Sequence, residues 1–184
     1  MNFLLLHGTG GGPEECWYPW LSEILESQGH KVIAPQFPTP DGQTLGNWLE
    51  IIEEENYWKH FDKNLVIIAR SIGVPFALRL IERSPAKINV AFLVAGFYTD
   101  IGLPQFKPLV DSFIDHSFDW AKIRFNCTNF FVYNSDNDPI VPMEKGKQLA
   151  EKLNIDLKVV HGQEHIWFQQ FLDILPDIKK ISEM

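Results

Sequence analysis

Residues 64–83 read NLVIIARSIGVPFALRLIER, and the change of period inside this stretch decides the fold. Leu65 to Ala69 is short, aliphatic and partly β-branched, as a strand buried on both faces of a parallel sheet must be. From Ile72 the apolar residues Ile72, Phe76, Ala77, Leu80 and Ile81 recur at helical spacing, which leaves Arg79, Glu82 and Arg83 for solvent. Ser71 stands at the switch, with Ala69 two residues before it and Gly73 two after. Small neighbours have a physical reason at such a turn. A serine held in a strained strand-to-helix bend has no room for side chains at the flanking positions, which would collide with the elements packed around it. The usual pattern is G-x-S-x-G, and alanine holds its first position here. On this stretch alone, a nucleophilic serine and an ordinary tight turn both fit.

Upstream, residues 2–6 read as a first strand that runs straight into His7-Gly8-Thr9-Gly10-Gly11-Gly12-Pro13. The glycine spacing matches neither phosphate-binding pattern, and no lysine follows. A loop that lends the Thr9 N–H to an oxyanion hole, beside the N–H of Ile72, fits better; a flexible turn is the plainer alternative. Residues 14–28 form a helical pattern with Trp17, Trp20, Leu21, Ile24 and Leu25 inward, stopped by Gly29. A short strand at 31–34 follows. Pro35, Pro38 and Pro40 make a rigid loop. Residues 44–61 are helical by pattern, with Leu45, Trp48, Leu49, Ile52 and Tyr57 inward and Glu53-Glu54-Glu55 on a solvated face.

Downstream, 88–95 is a fourth apolar strand, and apolar strands separated by helices imply a parallel sheet covered on both sides. The pattern loosens over 96–126, where Gly102, Pro104 and Pro108 mix with Phe97, Tyr98, Phe106, Phe113, Phe118 and Trp120. Such an excursion is either a small lid or binding segment or a cover for the core. His116 within it reads as a surface residue. A fifth strand at 128–134 ends on Ser135-Asp136-Asn137-Asp138-Pro139-Ile140-Val141-Pro142. A helix at 143–153, a sixth strand at 156–160, the loop His161-Gly162-Gln163-Glu164-His165 and a last helix over 166–178 complete one domain spanning 1–184.

Composition sets limits. Hydrophobic residues at 45% and charged residues at 22% are globular values. A net charge of -8 with no basic cluster argues against a nucleic-acid partner. No apolar run approaches a membrane span, and the opening residues carry no basic leader. Cys16 and Cys127 are far apart and belong to no ligand pair, so a reduced, cytoplasmic protein is the expectation.

A serine hydroxyl is a poor nucleophile. It needs a base, and the base needs an acid to fix its tautomer. In a parallel sheet these must follow the serine on loops at the same strand ends, acid before histidine. Asp138 follows the fifth strand and His165 the sixth. Asp136 competes with Asp138, which is favoured because the rigid 139–142 stretch follows it directly. His161 competes with His165, which lies farther out on its loop and can reach the serine. The same loop spells H-x-x-E-H, a zinc-peptidase signature, but that chemistry needs a helix where Gly162 and the preceding strand oppose one.

These residues together resemble the α/β-hydrolases, and within them the small retinoblastoma-binding-protein-9/YdeN-like serine hydrolases. The resemblance runs nearly end to end, through His7-Gly8, Trp17, Trp20, Ala69-Arg70-Ser71-Ile72-Gly73, Asp138-Pro139-Ile140-Val141-Pro142 and Glu164-His165. It implies a three-layer sandwich of about six mainly parallel strands in local order 2-1-3-4-5-6, lacking the first two antiparallel strands of larger hydrolases. It also implies a triad of Ser71, Asp138 and His165. The expected reaction is cleavage of an ester, thioester or small amide through an acyl-enzyme, on a small-molecule acyl substrate, with no cofactor or metal. The alternative is a non-catalytic interaction module that keeps the fold and takes a protein partner. Similar members have glycine where this chain has Glu164, and a carboxylate beside the base bears on its pKa. Arg70, beside the serine, is placed to meet an anionic substrate group or to pair with a carboxylate such as Glu164.

Overall fold

The computed structural model describes residues 1–182 of the 184-residue chain. Strands β1 (Asn2–Leu6), β2 (Lys31–Ile33), β3 (Leu65–Arg70), β4 (Ile88–Val94), β5 (Cys127–Ser135) and β6 (Leu157–Val160) form one sheet in the order β2-β1-β3-β4-β5-β6. Every pairing is parallel, as the alternation of apolar strands with helices implies. Because successive side chains point to opposite faces, each central strand feeds two cores. Leu65, Ile67 and Ala69 of β3 join a cluster under helices α2 (Leu45–Glu54), α3 (Gly73–Arg83), α4 (Lys107–Ile114), α5 (Trp120–Asn126) and α6 (Met143–Leu153). Val66 and Ile68 join the opposite cluster under α1 (Tyr18–Ser27) and α7 (Leu175–Ser182). β3 is buried along its whole length, which is why its first five residues, Leu65 to Ala69, read as an unbroken aliphatic run. No helix among the described residues is long and apolar enough to cross a membrane.

Three sequence expectations are corrected. The helical pattern over 44–61 divides, because Asn56 adopts a left-handed conformation; α2 ends at Glu54 and a 3-10 turn, Tyr57–His60, follows. The last helix does not begin at 166. Ile166 has φ of 51°, which no helix accommodates, and α7 starts at Leu175 with Pro176 in its first turn, where the missing N–H costs nothing. The 96–126 excursion is largely helical for the same reason. Pro104 and Pro108, read as loop signals, occupy the first turns of a 3-10 turn (Pro104–Phe106) and of α4.

Arg79 also departs from its expected place on the solvated face of α3, being 3% exposed. The excursion folds over it. Its Nε donates to the Phe113 carbonyl at 3.1 Å, Nη1 to that of Ser117 at 3.3 Å and Nη2 to that of His116, while the guanidinium stacks 3.7 Å above the Phe118 ring and pairs with Glu82. His116 itself is on the surface.

Candidate active site

The parallel ladder positions Ser71. Its N–H continues the sheet by donating to the Val94 carbonyl at 3.0 Å, and its φ of 56° turns the chain sharply into α3. Left-handed backbone is rare for serine and marks stored local strain. The Ser71 Oγ lies 3.0 Å from His165 Nε2, and His165 Nδ1 lies 2.8 Å from Asp138 Oδ2. A carboxylate only accepts, so Nδ1 carries the hydrogen and Nε2 is free to accept the serine proton. Asp138 has a fully buried side chain whose other oxygen accepts the N–H groups of Ile140 and Val141 at 2.8 and 2.9 Å. The chain just beyond Asp138 thus curls back to hold its carboxylate. The structure brings together Ser71, Asp138 and His165, and it sends the competitors elsewhere.

Those competitors find each other. His161 Nδ1 lies 2.7 Å from Asp136 Oδ2 on the surface, and Asp136 Oδ1 accepts the Gly162 N–H. The two histidines of the H-x-x-E-H stretch therefore face different carboxylates, which removes the shared helical face a zinc site needs. A wider pattern emerges. Each of four consecutive side chains, from the last residue of β5 onward, accepts a hydrogen bond from the 161–165 loop: Ser135 from the Gln163 N–H, Asp136 from Gly162, Asn137 from the Glu164 N–H at 2.9 Å, and Asp138 from His165. The sequence signal was a run of four short polar side chains directly after a strand.

The glycine-rich loop is held with equal care. His7 is buried between the Gly8 carbonyl, 2.8 Å from Nδ1, and the Phe37 N–H, which donates to Nε2 at 2.9 Å. Burial pushes its pKa below 6.5. Gln43, also buried, donates from one amide nitrogen to Thr9 Oγ1 at 3.0 Å and to the Leu109 carbonyl at 2.8 Å, joining this loop to α4. Neither the Thr9 N–H nor the Ile72 N–H has an acceptor among the described residues. Two backbone donors beside a serine are what an oxyanion requires. Gln43 was not singled out in the sequence, since its partners lie far along the chain.

A cavity of about 160 Å³ opens onto Ser71 and His165, walled mainly by Phe97, Ile101, Phe106, Val110, Ile140 and Trp167. The excursion supplies most of that apolar wall. Burial pushes the His165 pKa below 6.5; the hydrogen bond to Asp138 opposes this, and the Arg70 charge lowers it further. Glu164 points away, its carboxylate accepting the Trp167 indole N–H at 2.9 Å. Arg70 does not pair with it: Arg70 Nε donates to the His165 carbonyl at 3.2 Å.

Comparison with known proteins bears on the family and the fold. The chain is 29% identical over 161 residues to YdeN of Bacillus subtilis (strain 168), covering 86% of this chain and 82% of the relative. It is 25% identical over 181 residues to the serine hydrolase RBBP9 of Rattus norvegicus, covering 97% and 94%. The crystal structure of the ydeN gene product from B. subtilis superposes with a TM-score of 0.91 at 26% identity, covering 100% of this chain and 99% of that one. Est1E from Butyrivibrio proteoclasticus, at 16% identity and a TM-score of 0.75, shares the fold over 99% of this chain and 88% of its own. A family model described as serine hydrolase matches residues 3–182, which places the chain in the serine hydrolase family.

Proposed function

We propose that the chain hydrolyses an ester, thioester or small amide through an acyl-enzyme on Ser71. The observation that carries this is the unbroken hydrogen-bond chain from Ser71 Oγ through His165 to Asp138, opening on an apolar cavity. Ser71 Oγ attacks the carbonyl carbon while its proton passes to His165 Nε2. Asp138 keeps the imidazolium oriented and compensates its charge. The N–H groups of Ile72 and Thr9 receive the oxyanion, each donor worth about 3 kcal/mol. Collapse expels the alcohol, thiol or amine, which takes the proton from His165. Water then attacks the acyl carbon, giving its proton to Nε2, and the second collapse restores Ser71. None of these steps draws on a metal or cofactor.

The cavity volume bears on the acyl group. About 160 Å³ compares with the roughly 150 Å³ apolar cavity that accommodates benzene, so a short chain or a single ring fits within it. The free cysteines, Cys16 and the buried Cys127, suit a reducing compartment such as the cytoplasm.

A fluorophosphonate probe is expected to label the wild type and not Ser71→Ala, and p-nitrophenyl esters are expected to be cleaved best at short acyl lengths. An unlabelled wild type, or equal labelling of Ser71→Ala, would favour a non-catalytic interaction module. The pH dependence follows from the base. The neutral imidazole is the active form, and its pKa is held below 6.5, so kcat/KM persists below pH 6.5 before falling with further acid. A rate that has already halved at pH 7 contradicts this.

A further inference from the structure

Arg70 is a cation buried to 6% exposure one residue before the nucleophile. Among the described residues it forms no ion pair with any carboxylate, and its one hydrogen bond runs from Nε to the His165 carbonyl at 3.2 Å. Its other end lies under the glycine-rich loop. A Cβ placed on Gly8 would stand 3.2 Å from Arg70 Nη1 and 3.1 Å from Ser71 Cβ, so the guanidinium and the nucleophile flank the same glycine. Burying a charge with no counter-ion is costly, and a site that develops negative charge is where such a cation gains a partner.

The segment that Arg70 grips is itself strained. Glu164 and Ile166, on either side of His165, have φ of 48° and 51°, and a β-branched residue there is a true outlier. Two buried donors hold the carbonyls of this kink: Arg70 takes that of His165, and Trp17 Nε1 takes that of Ile166 at 2.9 Å.

We propose that Arg70 is a positioning and electrostatic residue of the hydrolytic site, fixing His165 through its backbone carbonyl and supplying, beneath the Gly8–Thr9 loop, an uncompensated positive charge that favours the anionic transition state. The proposal rests on the serine hydrolase reading given above. The charged and titratable groups facing His165 are Asp138 and Arg70, with Ser71 at Nε2, while the Glu164 carboxylate is turned to Trp167. Those near Arg70 are His7, Cys16 and Tyr18, all neutral at pH 7.

Three variants separate the two roles. Arg70→Met loses charge and hydrogen bond. It is expected to lower kcat about 10- to 100-fold, less than removal of a direct oxyanion donor at its largest, with KM changed less than about 3-fold. Because Arg70 depresses the His165 pKa, the acid limb of kcat/KM should move to higher pH in this variant. Arg70→Lys keeps the charge, so its limb should stay in place while kcat falls through the lost Nε bond. Trp17→Phe, which removes the neighbouring carbonyl's donor and leaves the cation, should likewise lower kcat without moving the limb. A folded Arg70→Met enzyme with kcat within about 2-fold of wild type and an unmoved limb overturns the proposal. If Arg70→Met does not fold, Arg70→Lys decides, and a kcat equal to wild type overturns it. A wild type that the fluorophosphonate leaves unlabelled removes the hydrolase reading instead, which is a different result.

Discussion

Replacing Asp138 with asparagine is expected to lower kcat for ester hydrolysis by about 10⁴-fold while leaving KM within a few-fold. The reason lies in which oxygen is already committed. Asp138 Oδ1 accepts two backbone N–H groups, from Ile140 and Val141, and an amide NH₂ cannot replace it there without setting donor against donor. The asparagine carbonyl must therefore stay on that side, which turns its NH₂ toward His165 Nδ1. The imidazole then accepts at Nδ1 and carries its hydrogen on Nε2, facing Ser71 Oγ, where it cannot take the serine proton. The fold should hardly change, because the same shape and the same backbone bonds remain. Steady-state kinetics on a p-nitrophenyl ester checks this, and an Asp138→Asn enzyme retaining more than a tenth of wild-type kcat would show that the base does not depend on Asp138.

Gly73→Ala should damage stability and turnover together. A Cβ at position 73 would stand 2.8 Å from the His7 carbonyl oxygen and still nearer that of Leu6. Both are backbone atoms of the first strand and the loop after it, and Leu6 is paired with Ala69 across β3. Neither neighbour can swing aside as a side chain would. Relief requires α3 to withdraw from β1, which carries Ser71 away from the glycine-rich loop that begins at His7. We expect a loss of about 3 kcal/mol, the upper range of overpacking, and a fall in kcat of about 10²-fold for a displacement near 1 Å. Urea unfolding and single-turnover acylation measure the two effects. Gly46→Ala in α2 is the control, since a Cβ there meets only Thr44 Oγ1 at 3.9 Å. Equal behaviour of the two alanine variants would refute the steric account.

The sheet and the candidate site were legible for different reasons. β3 and α3 announced themselves because a fully buried strand must be aliphatic throughout and its helix must repeat every three to four residues. Asp138 and His165 were legible because parallel strands deliver their loops to one end, so chain order alone narrowed the choice. What stayed hidden depends on residues meeting across long separations. Gln43 is unremarkable in sequence, since its partners Thr9 and Leu109 lie 34 and 66 residues away. Arg79 falls on the polar side of α3 by period, and nothing local says that a later segment will cover that side. Ile166 sat in an apolar helical pattern, and nothing in that pattern announces its left-handed backbone.

The buried Arg79 has a consequence for motion. The last turn of α4 and the turn after it, at the far end of the segment that walls the cavity, are fastened through three carbonyls to a guanidinium on the very helix that Ser71 initiates. Swinging that wall outward would strip a buried cation of its acceptors, each such bond being worth about 1.5–3 kcal/mol. The wall and the nucleophile are therefore parts of one rigid jaw. Trp167, which also lines the cavity, is 41% exposed; its indole donates to the surface carboxylate of Glu164 and its ring meets that of His165 edge-on.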